Sequence, residues 1–87
     1  MSGGARWAAA LLLLAAAIAA ARQTREEKSA EAAHAMAEER FADAEKLYAE
    51  LVQAEPANAG LLLSLGIAHQ SQGKHREALA QFRAVVK

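Results

Sequence analysis

The hydrophobic positions of this chain change rhythm at Arg22. Before it, Trp7 to Ala21 is an unbroken apolar run of fifteen residues. After it, apolar residues recur three or four positions apart among charged ones, the period of amphipathic helices. Arg25 to Glu39 holds no glycine or proline and is rich in Ala and Glu, both strong helix formers, so it predicts a helix. The Glu38-Glu39-Arg40 stretch reads as a turn. A second helix follows from Phe41 or Ala42 to Ala54, with an apolar stripe at Phe41, Ala44, Leu47/Tyr48 and Leu51. Pro56 stops it, because the residue before a proline is pushed out of the helical region. Asn58 is a natural N-cap for a third helix that runs through Leu62, Leu65, Gly66 and His69 to Gln72. Gly73 follows as a residue that takes φ > 0 without a Cβ penalty. Lys74 or His75 then opens a fourth helix carrying Ala78, Phe82 and Val85.

The second and fourth helices are copies in pattern. Sliding the chain along itself until Phe41 falls on His75 also sets Asp43 on Glu77, Ala44 on Ala78, Tyr48 on Phe82, Leu51 on Val85 and Val52 on Val86. The same shift sets Ala32 on Gly66 and Ala35 on His69. A period longer than one helix makes the repeating unit a helix pair. Two helices come within about 8–10 Å only where small side chains face one another. Ala32 and Ala44 suit that crossing in one unit, Gly66 and Ala78 in the other, with the aromatics filling the space around it.

This pattern resembles the tetratricopeptide repeat (TPR), a helix–turn–helix unit of about 34 residues. The resemblance covers Arg25 to Lys87, about three quarters of the chain. Leu62, Leu65 and Gly66 fall on the large residue, Leu and Gly of the repeat's first helix, Gly73 on its turn glycine, and Ala78 and Phe82 on the small residue and aromatic of its second helix. In the first unit Phe41, Ala44, Tyr48 and Pro56 fall on the opening aromatic, the small residue, the aromatic and the closing proline. The chain departs from the pattern at Lys28 and Glu31, where large apolar residues are expected, and at His69 and His75, which replace aromatics. The resemblance implies an all-α fold of antiparallel helix-turn-helix repeats behind an apolar N-terminal helix. Residues 1–21 form the leader, 22–58 unit 1, and 59–87 unit 2, which ends before its proline.

The leader has the parts of a secretory signal: basic Arg6, the apolar run, and the small-x-small site Ala19-Ala20-Ala21. Its run is shorter than the roughly 20 apolar residues of a typical membrane span. The alternative is an uncleaved anchor, with Arg6 and Arg22 snorkelling and Trp7 at an interface. Either way the repeats are expected outside the cytoplasm, in the periplasm or cell envelope or tethered to the inner membrane.

Composition narrows the function classes. Ten Lys and Arg balance ten Asp and Glu, which leaves no basic excess for nucleic acid. The balance conceals a dipole of sequence: residues 22–58 carry nine acidic and five basic side chains, residues 59–87 one acidic and four basic. That asymmetry fits solvated helical faces, or head-to-tail attraction between modules or chains. With no cysteine there is neither disulfide nor thiolate metal site. His34, His69 and His75 lack the i, i+3 or i, i+4 spacing of a helical metal site and are expected to replace aromatics or face solvent. Adjacent glutamates such as Glu38-Glu39 do not face each other on a helix, so no convergent carboxylate pair is expected. No cofactor, metal or catalytic residue is assigned, and the chain is not expected to be an enzyme.

What remains is surface. In TPR proteins the first helix of each unit lines a concave groove for peptide partners. By position the resemblance places Met36 and Ala37 there from unit 1, with Glu26, Ser29 and Ala33 upstream, and Leu63, Ile67, Gln70 and Ser71 from unit 2, with Gly60. This lining is small and mostly apolar and lacks a Lys/Arg/Asn clamp for a terminal carboxylate. Helix pairs also leave an apolar face for a neighbouring unit, and Leu61, Leu63, Val85 and Val86 are expected to face partly outward. The expectation is therefore a protein-interaction scaffold, the front part of a longer TPR protein completed by further units or self-association. Its alternative is a small membrane-anchored subunit or assembly factor packed permanently on a larger complex.

Overall fold

No glycine or proline interrupts the chain between Gly4 and Pro56, and the first helix uses that freedom. The computed structural model describes residues 2–87, with side chains other than those of residues 2–6 and 23. Four helices follow one another: α1 (Ser2–Ala37), α2 (Phe41–Ala54), α3 (Ala59–Ser71) and α4 (His75–Val85). The sequence pattern separates the apolar leader from a helix starting at Arg25. The structure joins them into one helix of 36 residues, about 54 Å at 1.5 Å per residue.

α1 ends at Ala37, two residues before the predicted Glu39, because Glu39 adopts φ 60. The Glu39 N–H bonds the Met36 carbonyl at 3.0 Å and the Arg40 N–H bonds the Ala35 carbonyl at 2.8 Å. This pair of bonds is a Schellman motif, which satisfies carbonyls left orphaned at a helix end. The same motif recurs at the equivalent place in the second unit, where Gly73 (φ 76) bonds Gln70 and Lys74 bonds His69. The turn geometry therefore repeats even though glycine is replaced by glutamate. α2 stops at Ala54, just before Pro56, and the Asn58 side chain caps α3 by accepting the Leu61 N–H at 3.2 Å, as predicted.

Packing follows chain order, α1 on α2, α2 on α3, and α3 on α4. The core is thin and built on small residues. Ala32 and Ala35 of α1 meet Ala44, Tyr48 and Leu51 of α2, and Leu65 and Ala68 of α3 complete the cluster. Gly66 lies directly under Phe82, as a close helix crossing requires. A Cβ there would stand 2.5 Å from the Phe82 ring.

The outer face of α1 explains the departures from the repeat pattern in unit 1. Glu27, Glu31 and His34, which register with Leu61, Leu65 and Ala68 of α3, are exposed here because no helix of the described chain covers them. Lys28 is half-buried and pairs with Glu50 of α2 at 3.0 Å. A polar face of this kind solvates the terminal helix of a repeat array. Within Trp7–Ala37 an 18-residue apolar window has a mean hydropathy of 1.5, and among the described residues none of it is buried.

Candidate interaction surfaces

α3 divides its apolar residues between two faces. Leu62, Leu65 and Ala68 point into the core, with Leu61 half-buried beside them. Leu63 and Ile67, four residues apart on another face, remain 46% and 42% exposed. Gln70 and Ser71 continue that face and are also exposed, as is Gly60 at its start. On α1, Ala37, Ala33 and Glu26 are exposed and Ser29 is half-buried. Met36 is also half-buried, packed against the core cluster, so it offers only part of its side chain to a groove. Between the two helices, Arg25, Ser29, Leu51, Asn58 and Leu61 line a recess of about 190 Å³. That is below the roughly 300 Å³ at which small-molecule pockets begin. The face suits a side chain or a helix rather than a cofactor.

A second feature joins three helices through polar groups. The Glu45 carboxylate of α2 accepts from His69 Nε2 of α3 at 2.8 Å and from Lys74 Nζ at 2.9 Å. The other ring nitrogen of His69, Nδ1, lies 2.7 Å from the Gln81 side-chain oxygen of α4. His69 is only 12% exposed, so its hydrogen-bonding capacity is met inside the protein. It occupies the place of an aromatic in the repeat pattern and uses that place for a polar bridge between helices. The sequence signal was present only as complementarity: Glu45 and His69 belong to different helices, a relation that no local periodicity reveals. The other two histidines lie at the surface, His34 paired with Glu38 at 3.0 Å and His75 exposed.

The α1–α2 turn holds a smaller charged cluster. Arg40 bonds Glu38 and Asp43, each at 3.0 Å, and these partners, Glu38 foremost, raise its guanidinium pKa above the ordinary value. Among the described residues no three His, Asp or Glu side chains converge as metal ligands.

The third surface is on α4. Leu79 is 47% exposed and Val86, at the helix end, 84% exposed. Val85 is half-buried. Of the four residues expected to face partly outward, Val86 is largely exposed, Leu63 is 46% exposed, and Leu61 and Val85 are half-buried. Leu79, which occupies the position of Glu45 in the preceding unit, was not anticipated.

A family model described as tetratricopeptide repeat matches residues 35–87, from the last turn of α1 through α4. The comparisons with curated proteins and with solved structures returned no significant match. The matched segment is more than half of the chain and contains the α3–α4 crossing, both Schellman turns and the α3 cap described above. The chain belongs to the tetratricopeptide repeat family, whose helical repeats serve as scaffolds for protein–protein interaction.

Proposed function

We propose that this chain is a protein-interaction scaffold held outside the cytoplasm, in the cell envelope or on the inner membrane. The observation that carries the interaction reading is the exposed pair Leu63 and Ile67, large apolar groups on a helix whose other face supplies the core. With Gln70, Ser71, Ala37 and the exposed part of Met36, they would grip a partner segment by apolar contact, bordered by a few polar groups.

The location rests on the N-terminal part of α1. An apolar window on a soluble protein's core helix is buried, whereas this one is wholly unburied. It suits either a segment removed on export or a membrane-embedded helix continuous with the first repeat helix. In the second case residues 1–21 are the anchor, and the repeats (22–58 and 59–87) stand on it with no flexible linker, since α1 crosses that boundary unbroken.

The chain has no cysteine, so photo-crosslinkers on single introduced cysteines report cleanly. Crosslinker at Leu63→Cys or Ile67→Cys should yield discrete adducts in cells that make the protein, and crosslinker at the exposed Lys46→Cys of α2 should not. Equal adducts from all three positions would refute the interaction reading.

A further inference from the structure

Beyond the apolar run, α1 rises about 24 Å from Ala21 to its end at Ala37, and α2, with 14 residues, returns about 21 Å. The α2–α3 turn therefore comes back to the level at which the apolar run stops. Glu55 of that turn lines the same recess, of about 420 Å³, as Arg22, Arg25 and Glu26 of α1. Each of the four is exposed, and none has an ion-pair partner among the described residues. Two guanidiniums and two carboxylates thus border one recess without neutralising one another. Elsewhere comparable charges do pair, Lys28 with Glu50 and Arg40 with Glu38 and Asp43.

The same face of α1 continues into the apolar run. Ala15, Ile18 and Ala19 recur at helical spacing with Arg22 and Glu26, and all five border an adjoining recess of about 610 Å³. Small alanine side chains leave room there for a hydrocarbon chain beside the helix. A ligand that fits both recesses is apolar at one end and carries a negative and a positive charge at the other. Guanidiniums take two oxygens of a phosphate through paired N–H donors. Carboxylates accept from a primary ammonium, all of whose N–H groups donate. An anionic headgroup would satisfy Arg22 and Arg25 but meet repulsion from Glu26 and Glu55, and a quaternary ammonium has no N–H to offer those carboxylates. The apolar strip favours a headgroup that brings its own acyl chain over a free phosphate compound.

We infer that this junction binds the headgroup of a zwitterionic phospholipid with a primary ammonium, of the phosphatidylethanolamine class. Its phosphate lies on Arg22 and Arg25 and its ammonium on Glu26 and Glu55. The inference rests on the reading of residues 1–21 as an embedded anchor. It adds that the α2–α3 end of the repeat pair lies against the bilayer, while the α3–α4 turn points away from it.

The test uses the full chain in vesicles of equal parts phosphatidylcholine, phosphatidylethanolamine and phosphatidylglycerol. A fluorophore on Ala57→Cys, in the α2–α3 turn, should be quenched by a headgroup spin label. One on His75→Cys, beyond α3 and about 20 Å farther from the bilayer, should not. After mild detergent extraction, native mass spectrometry should find phosphatidylethanolamine retained about tenfold over either other lipid. Glu26→Gln with Glu55→Gln should shift the preference to phosphatidylglycerol, and Arg22→Gln with Arg25→Gln should cut retention of all three. These side chains are exposed, so the variants keep the fold, which circular dichroism verifies.

Equal retention of the three lipids, or a preference for phosphatidylglycerol in the unsubstituted chain, overturns the inference. So does a preference indifferent to Glu26→Gln with Glu55→Gln, or equal quenching at Ala57→Cys and His75→Cys. A chain that alkaline washing strips from the vesicles overturns the embedded reading and this inference together. If the chain stays embedded but retains lipids without preference, this inference alone falls, and the anchor and scaffold readings stand.

Discussion

Replacing Gly66 by alanine separates two opposing effects of known size. In a helix interior alanine is favoured over glycine by about 0.8–1.0 kcal/mol. At this position the added methyl would stand 2.5 Å from Phe82 Cε1, 2.8 Å from Cδ1 and 3.1 Å from Cζ. Contacts that short force the ring or the helix to move, and overpacking of this kind costs about 1–3 kcal/mol. The expected net change is a loss of about 1 kcal/mol. A Phe82→Ala background removes the ring and leaves only the propensity gain. There Gly66→Ala should stabilise by about 1 kcal/mol, giving a coupling of about 2 kcal/mol across the double-mutant cycle. Urea unfolding of the full chain, followed by far-ultraviolet circular dichroism, gives the four free energies. The first unit contains the comparison, since Ala32 lies opposite Tyr48 at the same register. A neutral or stabilising Gly66→Ala with Phe82 intact would mean that the ring shifts at no cost, and would refute a glycine requirement at the α3–α4 crossing.

Other substitutions probe the turns and the polar bridge. Glu39 sits at φ 60 where the second unit has Gly73, so Glu39→Gly should raise stability by about 1 kcal/mol, and Gly73→Ala should lower it by about as much. Opposite signs in thermal melts check this pair. Asn58→Ala removes the side-chain acceptor of the Leu61 N–H and should cost about 1 kcal/mol, seen as faster amide exchange in the first turn of α3. Glu45→Ala takes the shared acceptor from His69 and Lys74 and should cost about 1–2 kcal/mol in urea unfolding. No loss there would mean that solvent replaces the carboxylate freely.

Features set by short-range pattern were legible before the structure. The α2 and α3 bounds, the Asn58 cap, the Gly73 turn and the small residues at both crossings each follow from a residue type at a helical spacing. The apolar leader and the first repeat helix run on as one helix because alanine-rich sequence gives a helix no reason to stop. Lys28 and Glu31 depart from the repeat pattern for different reasons: Lys28 is half-buried and pairs with Glu50 of α2, while Glu31 lies exposed on the outer face of α1. That pattern assumes a neighbour on the outer face of α1, and solvent removes the demand for apolar residues there. The Glu45–His69–Lys74 bridge depends on which residues of different helices meet, which follows from packing rather than period. The exposure of Val86 on α4 was legible in the pattern, whereas that of Leu79 was not, because its counterpart one repeat earlier is the charged Glu45.

A repeat scaffold carried beyond the cytoplasmic membrane by the apolar part of α1 can be tested by labelling. Single cysteines at Ala15 and Ile67 of the otherwise cysteine-free chain can be challenged, in intact cells, with a maleimide unable to cross that membrane. Prompt labelling of Ile67→Cys is the expected result. Ala15→Cys should be either protected until detergent is added or missing from a mature chain cut after the leader. Labelling of Ile67→Cys only after lysis, or equal labelling of both positions in an uncut chain before detergent, would contradict the proposed location.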